Sequence, residues 1–211
     1  MMTKKLFLTL SIIALLTSCA TRSGNNAQQN ANTFDEGVVI NGVRWATRNV
    51  AAPGTFAPYP HSAGMFFQWN RRTGFSATTP EAGVPIENWH ATPAEGTTWT
   101  RANDPCPQGW RVPTMAELIA LHDAGSEWTN SNGVYGRYFG TGQNRIFLPA
   151  SGSRDSDVLG NVNVGVHGFF WSSTESSSVV GAQGLWVSGG FVSVGPRLHR
   201  SGALSVRCVA E

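Results

Sequence analysis

The side chains able to do chemistry are few and scattered. The five histidines are His61, His90, His122, His167 and His199, and no two stand at metal-ligand spacing with a cysteine or carboxylate. Zinc needs such ligands at short, fixed intervals, so a zinc site is not expected. A Gly-x-Ser-x-Gly elbow, a phosphate loop and a glycine-rich dinucleotide turn are all missing, which leaves no nucleophile or phosphate cradle to name. Asp155 and Asp157 flank Ser156 in a glycine-rich loop, but two carboxylates supply only part of the roughly six to eight oxygens that calcium takes. A solvated loop is the plainer reading. Glu175 follows Trp171-Ser172-Ser173-Thr174 and has the chemistry of an acid or base, but no partner carboxylate stands nearby in sequence. The expectation is a protein that is not an enzyme and uses no metal or cofactor.

The three cysteines divide by position. Lys4 and Lys5 precede an apolar run over residues 6–16, followed at once by Leu16-Thr17-Ser18-Cys19. The run is shorter than the roughly 20 residues a spanning helix needs, and its flanks are those of an export signal. Small residues before a cysteine at this place resemble a bacterial lipobox. Residues 1–18 then form a signal peptide, and Cys19 carries the acyl chains that fix the protein to a membrane, several chains holding where one does not. The alternative is an ordinary signal peptide with a chance cysteine. Without Lys4 and Lys5, the only lysines, the 15 basic residues fall to 13, all arginine, against 13 acidic ones. A near-neutral surface with no basic stripe argues against nucleic acid as a partner. Cys106 and Cys208 remain, an even pair in an oxidising compartment, and are expected to form a disulfide. It would close a loop of about 100 residues, for which the chain-entropy model gives about 4–5 kcal/mol.

These residues need a frame. Residues 20–33 are rich in Ser, Gly, Asn, Gln and Ala and hold almost no large apolar side chain, so residues 19–36 read as a lipidated cysteine and flexible tether. Residues 37–211 are enough for a single domain with a good core. Eight Trp, 11 Phe and 24 Gly with few charges indicate a loop-rich, aromatic-cored β or α+β domain. Asn41-Gly42 between two apolar runs predicts a tight hairpin, because both central residues of a type I′ turn need positive φ. Residues 51–105 read as irregular chain pinned by aromatic anchors, with one short element near Ala63 to Trp69. One helix is expected after Pro113: Thr114 and Glu117 form a capping box, Met115, Leu118, Ile119 and His122 share one face, and Gly125 ends it. Trp110 is expected to pack beneath it. Short strands are predicted at residues 145–149, 168–173, 184–187, 190–194 and 203–209, punctuated by Gly and Ser.

Five segments carry a resemblance. They are Val39-Ile40-Asn41-Gly42-Val43-Arg44-Trp45-Ala46-Thr47-Arg48-Asn49-Val50, Cys106-Pro107-Gln108-Gly109-Trp110-Arg111-Val112-Pro113-Thr114, Phe147-Leu148-Pro149-Ala150-Ser151-Gly152-Ser153-Arg154, Gly168-Phe169-Phe170-Trp171-Ser172-Ser173-Thr174 and Ser205-Val206-Arg207-Cys208-Val209. Over residues 37–211 they resemble the Fibrobacter succinogenes major paralogous domain, a family of lipoproteins common in Bacteroidetes. The resemblance implies a C-type lectin-like α+β fold: small antiparallel sheets, one or two short helices, long irregular loops, and termini close together. It implies a disulfide from the first-helix region to the last strand, which Cys106 and Cys208 fit. It also implies a lipid anchor in the outer membrane of a Gram-negative bacterium, on the periplasmic or the outer face. Sugar-binding C-type lectins use Glu-Pro-Asn and Trp-Asn-Asp for calcium, whereas this chain has Trp171-Ser172-Ser173, so calcium-dependent sugar binding is not implied.

The C-terminal third offers a display surface. From Val187 to Ser205 only Val, Ser, Gly, Phe, Pro, Arg, Leu, His and Ala occur. Lys, Glu, Gln, Met and Trp are the residues unreachable when AAC codons are randomised at their adenines, as diversity-generating retroelements do. The variable proteins of those elements are similar to this chain. Strands and turns also avoid Lys, Glu and Gln for ordinary reasons, and both readings stay open. The candidate ligand-binding residues are Phe169, Phe170, Ser176, Ser177, Ser178, Val179, Phe191, Ser193, Arg197, His199 and Arg200, presented to an unknown protein or glycan. Aromatic and arginine side chains suit that role, and strand alternation should bury one of Phe169 and Phe170. The alternatives are an enzyme similar to the formylglycine-generating class, for which bridged cysteines leave no thiol, and a structural surface or fimbrial subunit.

Overall fold

The computed structural model describes residues 33–78, 86–155, 160–174 and 176–211. The signal peptide, Cys19 and the tether to residue 32 lie outside the described residues, as do Asp157 and Glu175.

Strands β1 (Val38–Ile40) and β2 (Val43–Asn49) form the expected hairpin, with Asn41 at φ 46° and Gly42 at φ 82°. Next come β3 (Met65–Gln68) and β4 (Gly74–Ser76), a 3-10 turn (Arg101–Asn103), and β5 (Trp110–Arg111). Helix α1 (Met115–Asp123) is followed by β6 (Ser126–Ser131), β7 (Val134–Thr141) and β8 (Asn144–Pro149). The chain ends with β9 (Ser153–Arg154), β10 (Asn161–Val162), β11 (His167–Trp171), β12 (Gly181–Ser188), β13 (Val192–His199), β14 (Ala203–Ser205) and β15 (Arg207–Ala210). Among the described residues the result is a mixed α+β architecture of small sheets, one α-helix and a short 3-10 turn. No helix among the described residues is long and apolar enough to cross a membrane.

Three sheets form. The first runs β1-β2-β15-β5, which seats the last strand beside one of the first. The second runs β10-β9-β14-β11-β12-β13, with β3 and β4 joined at β14. The third is β6-β7-β8. Cys106 and Cys208 are bonded across 102 residues, tying the segment before β5 to β15. Arg207 on β15 is fully buried. It donates to Asn49 Oδ1 (2.7 and 3.0 Å), Ala46 O (3.2 Å) and Phe147 O (2.9 Å), joining the first sheet to β8. Burial pushes its pKa down to about 9, so the group stays charged at neutral pH and needs those acceptors.

The capping box forms as expected. Thr114 N–H donates to Glu117 Oε2 (2.7 Å) and Glu117 N–H to Thr114 Oγ1 (3.3 Å), and Gly125 at φ 77° closes the far end. The buried stripe differs from the expected face: it is Met115, Leu118 and Leu121, while Ile119 is 47% exposed and His122 exposed. Steps of three residues advance about 300°, so the stripe slants away from Ile119 as the helix lies across β12, β13 and β7. Trp110 does not pack beneath α1. It belongs to the core around the disulfide, edge-on to Phe56 at 5.6 Å, because β5 pairs with β15 and leaves the helix to cover the other core. Asp35, ahead of β1, is also held by β2. Asp35 is 8% exposed and accepts from Thr47 N (3.1 Å), Thr47 Oγ1 (2.9 Å) and Arg48 Nε (3.2 Å).

Candidate functional site

Strand β11 sits in the middle of the second sheet and is buried on both faces. Phe170 joins the core under α1, whereas Phe169 and Trp171 join the core around the disulfide. Both Phe169 (8% exposed) and Phe170 (1%) are therefore inside. The expectation that one of them stands in solvent fails because both faces of the sheet are covered.

Phe169 nevertheless borders an opening. It pairs with Trp186, which pairs with Ser193, making one row across β11, β12 and β13. The rings of Phe169 and Trp186 are 5.3 Å apart, Trp186 and Phe191 meet edge-on at 4.9 Å, and His167 stands 5.2 Å from Trp186. Phe191, 43% exposed, brings this row to the surface. Aromatic rings in such offset and edge contacts gain beyond their buried area.

On the other side of Phe169 lies a cavity of about 170 Å³. Phe169, Leu198 and Leu204 give it apolar walls; Ser153, Arg154, Asp155, Asn163 and His199 give it polar ones. A β-bulge shapes it. Between Gln183 and Leu185 the register slips, so that β13 spends three steps, Val194 to Arg197, on two of β12. Gly195, at φ 82°, supplies the positive dihedral. The bulge sets Leu198 into the cavity and leaves Arg197 and His199 exposed. His199 Nδ1 accepts the Ser201 N–H (3.4 Å) and pairs with Ser201 Oγ at 2.6 Å.

The structure divides the other candidates. Phe191 and His199 stand at opposite ends of β13, roughly 25 Å apart at the rise of a strand, so they belong to a strip rather than one pocket. Ser176 and Ser178 build a turn: Ser176 Oγ donates to Gly181 O (2.8 Å) and Ser178 Oγ accepts from Gly181 N (3.0 Å). Ser177 is exposed, and so is Val179 at 76%. Arg200 is not displayed at all. It is 1% exposed, its guanidinium over Trp69, and it donates to carbonyl oxygens of Ala94, Gly96, Ser176 and Gly181. Burial holds its pKa below the usual arginine value. It points inward because those carbonyls converge where the loops at 94–96 and 176–181 meet.

Trp186, Leu198 and Leu204 were not anticipated. Alternation along β12, with Leu185 and Val187 inward under α1, places Trp186 on the opposite face, and that signal was readable. No three His, Cys, Asp or Glu side chains group as metal ligands among the described residues. No family model, curated protein or solved structure matches the chain.

Proposed function

We propose that this chain is a non-catalytic binding module, held at a bacterial outer membrane by a lipid on Cys19, and that the strip along β11–β13 takes its ligand. The single observation behind it is the junction at Phe169. An aromatic row surfacing at Phe191 runs into a small cavity with apolar and polar walls. Binding sites for small polar ligands combine apolar surface with a few placed polar groups. Of the protein and glycan classes, this favours a glycan, whose ring face lies on an aromatic wall while hydroxyls reach Asn163, Asp155 or His199. The same reading makes the domain C-type lectin-like and a member of the Fibrobacter succinogenes major paralogous family. In its favour are β2 lying beside β15 and the bond from Cys106, ahead of α1, to Cys208 on the last strand.

Capture on a glycan array tests it, using the protein freed of residues 1–18 and its Phe191→Ala, Arg197→Ala and His199→Ala variants. Loss of glycan signal in the Phe191 and His199 variants, with unchanged folding, is the expected result. Capture that all three variants retain would remove this face from consideration.

A further inference from the structure

We propose a second binding site, separate from the β11–β13 strip, in the cavity between the β6–β7 hairpin and the loop after β10: a pocket for one neutral ring bearing a single hydrogen-bonding group, of which a phenol is the simplest. The cavity measures about 230 Å³, and Ala63, Ala77, Val134 and Ala150 line much of it. A dry apolar cavity of about 150 Å³ accepts benzene, so this one has room for a ring and a substituent. It is smaller than the roughly 300–1,000 Å³ that larger ligands occupy.

Three further observations point to a ligand. Ser151 lines the cavity and is 5% exposed, yet its Oγ has no hydrogen-bond partner among the described residues. A buried hydroxyl without a partner is unfavourable, and a rotation of the Ser151 side chain toward the cavity would let a ligand hydroxyl relieve it. Second, large apolar side chains stand exposed at the mouth: Tyr135 at 51% and Val164 at 59%, while Tyr59, at 60%, stacks on the lining residue His61 at 5.4 Å. Exposed apolar side chains gathered at one place mark an interaction site rather than ordinary surface. Third, no Asp, Glu, Lys or Arg is among the described lining residues, so the ring they suit is uncharged. Tyr135 offers it a flat wall, braced from behind by Trp128 in parallel stacking at 6.2 Å.

A phenol has two sources, a free small molecule and the tyrosine side chain of a polypeptide. Isothermal titration with p-cresol and with N-acetyl-tyrosinamide tests the site and separates the two. Saturable binding of p-cresol is expected. A tighter tyrosinamide assigns the site to polypeptide, and a weaker one to free small molecules. Ser151→Ala should weaken p-cresol about threefold to tenfold, the loss of one neutral hydrogen bond, without lowering the melting temperature. Val164→Arg, at an exposed position, should block the mouth while leaving glycan capture by the β11–β13 strip as it was. No saturable heat with p-cresol, or binding undiminished in both variants, would overturn the proposal.

Discussion

The guanidinium carbon of Arg200 lies 4.0 Å from the centroid of the Trp69 ring. Around that contact its nitrogens reach Gly96 O at 2.7 Å, Ser176 O at 3.2 Å, Gly181 O at 3.3 Å and Ala94 O at 3.4 Å. One side chain thus gathers two loops onto one buried ring. Truncation strands four carbonyls and opens a cavity, so Arg200→Ala should cost about 3 kcal/mol or more. Arg200→Lys keeps the charge and loses the planar fork, and should recover only part of it. Urea unfolding midpoints read both; a midpoint left in place by Arg200→Ala would return this residue to the surface set.

The bond between Cys106 and Cys208 closes a loop with a sequence separation of 102. Replacing both by serine should lower stability by about 4–5 kcal/mol if chain entropy dominates. Guanidinium melts of the oxidised protein, the reduced protein and the double variant give the comparison. The double serine variant should fall somewhat below the reduced protein, since both positions are buried and a hydroxyl there costs more than a thiol.

Glu117 carries the acid sensitivity of the helix start. Burial alone would raise its pKa, but hydrogen bonds from Arg111 and Thr114 and the Arg111 charge outweigh burial and hold it below the ordinary 4.5. A carboxyl whose folded pKa is depressed contributes its stability in full above the unfolded pKa and loses it as pH falls through the folded value. Glu117→Gln should therefore be less stable than the parent at pH 7, by about 1 kcal/mol, the scale of a lost cap. The gap should close below about pH 4. Thermal melts across that range check it; a gap that stays constant with pH would rule out the ionised carboxylate as the cause.

Gly152 stands at φ 74°, and a Cβ there would lie 2.1 Å from Val162 O. The obstacle is backbone, so the segment at 162–164 has to move. Gly152→Ala should cost about 1–3 kcal/mol. Because that segment borders both cavities, glycan capture and p-cresol binding should weaken together. Gly152→Ala protein that lost only one of the two bindings would contradict the shared wall.

Local chemistry was what the chain disclosed. Asn41-Gly42, the box of Thr114 and Glu117, the stop at Gly125 and the Cys106–Cys208 bond each depend on a few residues and appear as expected. Asn132-Gly133 carries the same hairpin signal as Asn41-Gly42, with φ 51° and 85°, so the β6–β7 pair is equally legible there. What the chain did not disclose depends on distant neighbours. Arg200 looks like a surface arginine until residues 94–96 arrive from about a hundred positions away. Phe169 and Phe170 look like an alternating pair until α1 covers one face and Trp69, Trp99 and Leu204 join the core on the other. The cavity beside Phe169 required Leu198 to change sides, which the bulge accomplishes and side-chain periodicity alone does not foretell.

That bulge has a further consequence. Strand β13 ends its sheet, and an end strand normally offers a row of donors and acceptors on which another chain can be templated. Pro196 brings no donor, and the slip beside Gly195 breaks the spacing, so an incoming strand loses register past Val194. Protection against polymerisation is thus written into the backbone. The exposed positions that follow, Arg197 and His199, are relieved of that duty, and their identities are free to vary without making the domain sticky to its own copies.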